Sequence, residues 1–314
     1  MVDILIRNGR LVDGTGNPWF PGDLAIDGDR IVAVGPDLSD MPAERTIDAA
    51  GKVVCPGFVD IHSHSDRTIL VNRGAVSSIY QGVTTEIVGN CGMTMAPITP
   101  VSREQMLAYL AIFHDDLPTT WNTLGEFMDT VEAGDIANNM VFQVGHNAVR
   151  RAVLGREDRS PTEDEMQAME RLVAESLDAG AMGLSFGLEF MPGRASDAEE
   201  CRRLCAVAGK RDKMTSWHVR NRDRKFQEAV DEAIWATREA GAGLQLAHLS
   251  AKPGSSPRAW NRVMEAVRRA RAEGHDVQAD MIAYVAGPGL LSTILPNWAT
   301  QGTIPEIQAR LRDP

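Results

Sequence analysis

The sequence lacks the features of a membrane or secreted protein. No apolar run among its 314 residues approaches the length of a membrane span, and the start, MVDILIRNGR, has no signal-peptide hydrophobic region. Cysteine is scarce: the four are Cys55, Cys91, Cys201 and Cys205. Without a secretory signal they are expected to be reduced thiols. These absences predict a cytoplasmic protein with no membrane partner.

An excess of basic charge is missing as well. The chain has 32 Lys and Arg against 43 Asp and Glu, a formal net charge of −11. Without a dense basic block, this balance argues against nucleic acid as a partner. Hydrophobic residues make up 43% and charged residues 24%, which is typical of a globular protein with a sizeable core.

Two patterns divide the chain. Residues 1–55 contain short β-type segments around a tight-turn signal at 27–30 and predict a small antiparallel sheet, the N-terminal β-sandwich subdomain. From residue 56 to 314, apolar strand-like segments alternate with helical stretches such as 162–179 and 258–273. Such alternation predicts βα units and a parallel sheet buried on both faces.

The number of strands refines this fold class. Seven apolar segments follow residue 53, the last at 276–284, and then the sequence continues as loop and helix. The prediction is an α/β protein with a (β/α) TIM-type barrel that lacks its eighth strand in this chain. An open edge at strand 7 would expose unpaired backbone groups. The sequence leaves the oligomeric state undetermined.

Imidazole and thiol groups follow four of the predicted strands. They are His62 and His64 after strand 1, Cys91 after strand 2, His218 after strand 5 and His248 after strand 6. The carboxyl ends of barrel strands form the active-site face, and the side-chain period of two points His62 and His64 the same way. Cysteine and histidine together favour zinc. A metal site is therefore predicted, with a thiolate that could bridge two cations.

Other polar residues are assigned supporting roles. His146 follows strand 3 and is predicted to contact substrate or support a ligand, and Asp66 to accept a hydrogen bond from a ligand histidine. Arg220 is expected either to hold an anionic substrate or to form a buried ion pair.

The remaining cysteines and histidines are given structural roles. The pair Cys201 and Cys205 is interpreted as helix packing and Cys55 as core. His114 and His275 are interpreted as surface residues.

Several motifs carry a family resemblance. An N-terminal β segment followed by GKVVCPGFVDIHSHSD is similar to the amidohydrolase superfamily, in which a strand-1 HxH motif binds metal. The narrower motifs resemble the N-acyl-D-amino-acid deacylase (D-aminoacylase) branch: GVTTEIVGNCGM, VGHNAVR, AMGLSFGLEFMPG, HVR and AHLSAKPG. The likeness runs in order over essentially the whole chain.

That resemblance implies specific roles. Cys91, His218 and His248 would hold a tightly bound zinc, and His62 and His64 a second, weaker metal position that shares Cys91. The implied substrate is an acylated D-amino acid, cleaved to a carboxylate and a free D-amino acid. Zinc lowers the pKa of bound water toward neutrality and polarises a carbonyl. The expected partner is thus a small molecule, an N-acyl amino acid.

The chain departs from the branch at several points. Members are longer, and their catalytic aspartate lies on an eighth strand that this chain does not reach, so no catalytic carboxylate is assigned. Phe190 stands where tyrosine is common, and Ser250 where lysine is frequent, with Lys252 close by. Arg222 replaces an acidic residue after the HxR motif. This chain, which resembles a C-terminally truncated member, is expected to bind metal but turn over poorly.

Two alternatives stay open at this point. A cyclic amidase of the hydantoinase or dihydroorotase type is the first, although such relatives bridge their metals with a modified strand-4 lysine and the segment AMGLSFGL has none. The second is a truncated, non-catalytic paralogue that binds metal or ligand. The missing eighth strand favours it, and the retained set of metal-binding residues argues against it.

Overall fold

The computed structural model describes residues 1–111, 119–284, 295–300 and 304–312. The chain divides into two compact units, Met1–Phe58 and Val59–Pro314, where the sequence predicted a boundary after residue 55. His114 lies outside the described residues. Among the helices of the described part, none combines the length and apolarity needed to span a bilayer.

The first unit is a mixed β-sheet. Its strands are β1 Val2–Leu11, β2 Phe20–Asp27, β3 Arg30–Gly35, β4 Ala43–Asp48 and β5 Val53–Val54. β1, β2 and β3 pair in antiparallel fashion, but β4 and β5 run parallel to β1. The purely antiparallel expectation was therefore wrong, and the second sheet of the expected sandwich is not among the described residues of this unit.

The second unit contains a seven-stranded sheet whose strands lie in chain order. They are β6 Phe58–Asp60, β7 Val83–Val88, β8 Asn139–Gly145, β9 Gly183–Gly187, β10 Met214–His218, β11 Gly243–Leu246 and β12 Val277–Ala279. Pairing is parallel from β7 through β12. The predicted seven strands are confirmed, and the described residues contain no eighth. The last strand is shorter than the predicted 276–284.

Helices connect these strands. The longer ones are α2 Arg103–Leu110, α3 Leu124–Glu132, α4 His146–Leu154, α5 Glu163–Asp178, α6 Ala198–Gly209, α7 Phe226–Ala240, α8 Ala259–Ala272 and α9 Ile304–Arg312, with a short α1 at Val76–Ile79. α5 begins with a capping box, because Thr162 accepts from the Glu165 amide while the Glu165 side chain accepts from Thr162. Both predicted helices, 162–179 and 258–273, are confirmed.

The sheet is buried on both faces. Every residue of β9 is buried, and Phe186 stacks on Trp217 of β10 with ring centroids 4.3 Å apart. Cys201 and Cys205 of α6 are fully buried in the same core, as their packing role predicted. Cys55 was wrongly assigned to the core. It is exposed because β5 ends at Val54 and the chain then forms a connecting segment rather than continuing into β6.

Candidate metal centre

Four strands of the barrel deliver the predicted ligands to their carboxyl ends. His62 and His64 follow β6, Cys91 follows β7, His218 is the last residue of β10, and His248 comes two residues after β11. Parallel strands in one sheet end on the same side, so these residues converge although they are up to 186 positions apart in sequence (248 minus 62). The convergence is a direct consequence of the fold.

The five side chains form two groups that share one sulfur. The ligand atoms of His62, His64 and Cys91 lie within 4.8 Å of one another, and so do those of Cys91, His218 and His248. Cys91 Sγ is 3.4 Å from His62 Nε2 and 3.5 Å from His248 Nε2. The structure therefore brings together all the residues predicted as ligands.

The backbone around Cys91 depends on glycine. Cys91 has a φ of +55°, a left-handed conformation that a non-glycine residue adopts at a cost of about 1–3 kcal/mol. A Cβ added at Gly187 would lie 1.9 Å from the Cys91 carbonyl oxygen. The last residue of β9 must therefore be glycine, because the loop after β7 that carries Cys91 packs directly against it. This explains one glycine of the AMGLSFGL motif.

Cys91 is set up as a thiolate. Burial raises the pKa of its thiol, but the neighbouring imidazoles of His218, His248 and His62 outweigh that effect and hold the pKa well below its ordinary value. The thiolate is the metal-binding form of cysteine. For the His62 imidazole, burial lowers the pKa, but the Asp280 carboxylate and the Cys91 sulfur outweigh burial and raise the pKa to about 10. The centre thus pairs a stabilised anion with surrounding imidazoles.

This donor set fits zinc. One sulfur and two imidazole nitrogens per group match the ligands that zinc takes in proteins. His218 Nδ1 is buried without a hydrogen-bond partner, while Nε2 of the same ring lies 2.7 Å from a Glu189 oxygen. An unpartnered buried ring nitrogen beside a thiolate is the arrangement that a bound cation would satisfy.

Two carboxylates contact the outer sides of the histidines. Glu189 contacts His218 and also accepts from Lys252 Nζ at 2.5 Å. Asp280 Oδ2 lies 3.6 Å from His62 Nδ1, and its other oxygen accepts from the His248 amide. A carboxylate on the second ring nitrogen orients a ligand histidine and raises its basicity. Asp280 therefore also belongs to this centre.

Glu189 was not among the residues predicted from the sequence. The sequence feature that could have indicated it is its place in GLEFMPG, directly after a buried strand and next to Phe190, which stands where tyrosine is common in the family. Burial raises the pKa of Glu189, but the hydrogen bonds of His218 and Lys252 and their charges lower it to about 2. The group is therefore an anion at neutral pH.

We expect Glu189→Gln to weaken zinc binding by about 10-fold, because the neutral amide no longer polarises His218. Competition with a chromogenic chelator measures the affinity. Glu232→Gln is the matched control, since Glu232 pairs with Arg220 and not with a predicted ligand. Equal zinc affinity in the Glu189 variant and the unmodified protein would contradict a role for this carboxylate in the metal centre.

Two guanidinium groups contact the other pair of histidines. Arg67 Nη2 lies 3.1 Å from His64 Nδ1, and Arg222 Nη1 lies 3.1 Å from His248 Nδ1. Each group of ligands therefore contains one histidine next to a carboxylate and one next to an arginine.

Some predicted supporting residues join the centre. The Phe190 ring contacts His218 edge-on, with centroids 4.6 Å apart. Ser250 donates to the His248 carbonyl, and Lys252 reaches Glu189. Asp66 is buried in the turn after His64, and burial raises its pKa to about 6 despite the opposing charges of Arg67 and His64. Its Oδ1 has no hydrogen-bond partner among the described residues, and the predicted hydrogen bond from a ligand histidine is not among their contacts.

Three others lie in different surroundings. His146 begins α4 and is fully buried with Nε2 2.7 Å from Glu200, which also pairs with Arg150. Arg220 forms a two-pronged ion pair with Glu232 at 2.9 and 3.1 Å, so of its two predicted roles the structure has the ion pair. His275, expected at the surface, is half-buried because its ring contacts Thr237 and the Ala242 carbonyl.

Comparison with known proteins places this geometry in context. The profile of the amidohydrolase family matches residues 45–252. N-acyl-D-glutamate deacylase of Alcaligenes xylosoxydans xylosoxydans is 34% identical over 304 residues, 96% of this chain and 60% of the relative. A D-aminoacylase structure from a study of its binuclear metal centre matches with a TM-score of 0.83 and 32% identity, over 91% of this chain and 60% of that one.

A further match concerns a liganded structure. N-acyl-D-glutamate deacylase from Bordetella bronchiseptica, in complex with zinc and a phosphonate inhibitor, matches with a TM-score of 0.80 and 31% identity, over 90% of this chain and 59% of that one. The chain thus spans about 60% of the length of these relatives. The profile match covers more than half of the sequence, and the chain belongs to the amidohydrolase family.

Proposed function

We propose that this chain is the metal-binding part of a zinc-dependent hydrolase that cleaves the amide bond of N-acyl-D-amino acids. The observation that carries the proposal is the pair of three-ligand groups that share Cys91. The similarity to N-acyl-D-glutamate deacylase and D-aminoacylase supports the substrate class. The known relatives extend well beyond the matched region, so the proposal concerns the activity of the protein that contains this chain.

The ligand assignment follows the geometry. Cys91, His218 and His248 would hold one ion, and His62 and His64 would hold a second with Cys91 in common. Zinc at this position would supply Lewis acidity toward a carbonyl and lower the pKa of water. Glu189 and Asp280 would orient His218 and His62 through the ring nitrogens that face away from the sulfur.

Lys252 is suited to bind the substrate carboxylate. Its side chain is 38% exposed while its ammonium contacts Glu189 beside the centre. An arriving carboxylate can therefore share this ammonium without a buried charge being left unpaired. Phe190, whose ring contacts His218, is proposed to contact the substrate side chain.

The test measures whether hydrolysis requires the metal and whether it favours the D over the L isomer of the substrate. With the protein that contains this chain, we expect N-acetyl-D-glutamate and N-acetyl-D-methionine to release free amino acid, the L isomers to release much less, and a chelator to abolish release until zinc is restored. Amine-reactive fluorescence measures the product. Release that persists after zinc removal, or that favours the L isomers, would contradict the proposal.

A further inference from the structure

Arg222 occupies an unusual position beside the candidate metal centre. It lies in the loop after β10, is only 8% exposed, and aims its guanidinium at His248. Nη1 is 3.1 Å from His248 Nδ1, 3.2 Å from the His248 carbonyl oxygen and 3.4 Å from Ser250 Oγ. Nη2 is 3.7 Å from Glu189. The arginine is therefore held in contact with one predicted ligand from several directions.

This contact favours one of the two neutral tautomers of His248. A guanidinium has donors only and never accepts a hydrogen bond. At 3.1 Å from His248 Nδ1, the Arg222 donor favours the tautomer in which Nδ1 presents its lone pair and the neutral ring carries its hydrogen on Nε2. Nε2 lies 3.5 Å from Cys91 Sγ, so this tautomer donates to the sulfur. Arg222 thus favours the form of His248 that is a donor to the thiolate.

A metal needs the opposite form. For Nε2 to bind an ion, its lone pair must face the sulfur side and the hydrogen must sit on Nδ1. A ligand histidine normally donates this second N–H to a carboxylate or carbonyl, as the position of Glu189 allows for His218. At His248 the hydrogen would instead face the N–H groups of Arg222, which is repulsive.

We propose that Arg222 lowers the zinc affinity of the Cys91, His218 and His248 group by holding His248 in the wrong tautomer for metal binding. The inference rests on the proposed metal centre and adds to it a residue that sets its affinity. His248 is accordingly the ligand that must rearrange when an ion enters, and residue 222 determines how readily it does so.

Substitutions at position 222 test the idea. Arg222→Gln removes the charge and offers an amide oxygen that can accept from Nδ1–H, whereas Arg222→Met removes the charge without offering an acceptor. We expect zinc affinity, measured by chelator competition, to rise about 10-fold or more in the Gln variant and by less in the Met variant. Ring ¹⁵N chemical shifts of His248, recorded before zinc is added, report which nitrogen carries the hydrogen. In the Gln variant they should show that the hydrogen has shifted from Nε2 toward Nδ1.

The control and the outcomes separate the possible causes. Arg224→Gln removes the same charge from an exposed position of the same loop and should leave zinc affinity within about 2-fold of the unmodified protein. Unchanged or weaker binding in the Gln variant, or equal gains in Gln and Met, would overturn the tautomer argument while leaving the metal centre in place. Failure of the unmodified protein and every variant to bind zinc would overturn the metal centre and this inference together. Melting temperatures verify that each variant is folded.

Discussion

Replacing Cys91 with serine should strip the protein of its zinc. Cys91 Sγ is the one atom that belongs to both groups of ligand atoms, so its removal leaves only a pair of imidazoles at each position. A serine hydroxyl remains protonated at neutral pH and is a poor substitute for a thiolate. We expect the loss of affinity to exceed the roughly 10–100-fold that loss of an outer partner costs. Zinc content after gel filtration, by mass spectrometry of the metal, is the measurement.

Cys55→Ser is the matched control for this experiment. Cys55 is exposed and lies in the segment before β6, so the same chemical change there should leave the zinc content unaltered. Full zinc content in a folded Cys91→Ser protein would disprove the ligand assignment. In the protein that contains this chain, hydrolysis of N-acyl amino acids should be lost with the metal, since the proposed chemistry depends on it.

Replacing Glu200 with alanine should destabilise the barrel without affecting the metal. Glu200 is buried between His146 and Arg150, whose side chains are both 0% exposed. Without the carboxylate, Arg150 retains a buried charge with no other ion-pair partner among the described residues, a change that typically costs 3–5 kcal/mol. We expect about that decrease in the free energy of unfolding, measured by urea denaturation at neutral pH.

The neighbouring residue provides the comparison. Glu199 pairs with Arg202 on the surface, with a side chain 58% exposed, and Glu199→Ala should cost no more than about 1 kcal/mol. Zinc content should be normal in both variants, because Glu200 contacts His146 and Arg150, neither of which is a predicted zinc ligand. A small change in the free energy of unfolding of Glu200→Ala, or zinc loss from the folded variant, would contradict the structural role given to Glu200, His146 and Arg150.

The Glu200 contribution should also depend on pH. Burial raises the pKa of its carboxyl, but the contacts with His146 and Arg150 outweigh that effect and lower it below the ordinary value. A carboxyl whose pKa is lower in the folded state stabilises the fold above its unfolded pKa, and this stability is lost as pH falls through the folded pKa. The difference in unfolding free energy between the unmodified protein and Glu200→Ala should therefore shrink on acidification.

The local sequence determined the elements and their order. Strand-like apolar segments that alternate with amphipathic helices specified the seven strands of the barrel, and Thr162 with Glu165 marked the start of α5. The five candidate ligands were identifiable because each lies at or just beyond the carboxyl end of a predicted strand. Parallel pairing places such ends on one edge whatever the details of packing.

Only the tertiary structure decided which polar groups support which ligand. Glu189, Asp280 and Arg222 contact ligand histidines that lie 26 to 218 positions away along the chain (248 minus 222, 280 minus 62), so no local pattern announces the pairing. His146 and Arg220 carry the same types of side chain at similar strand ends, yet they pair with Glu200 and Glu232. The end of a strand determines where the backbone of a residue lies, whereas the direction of its side chain depends on packing against distant elements.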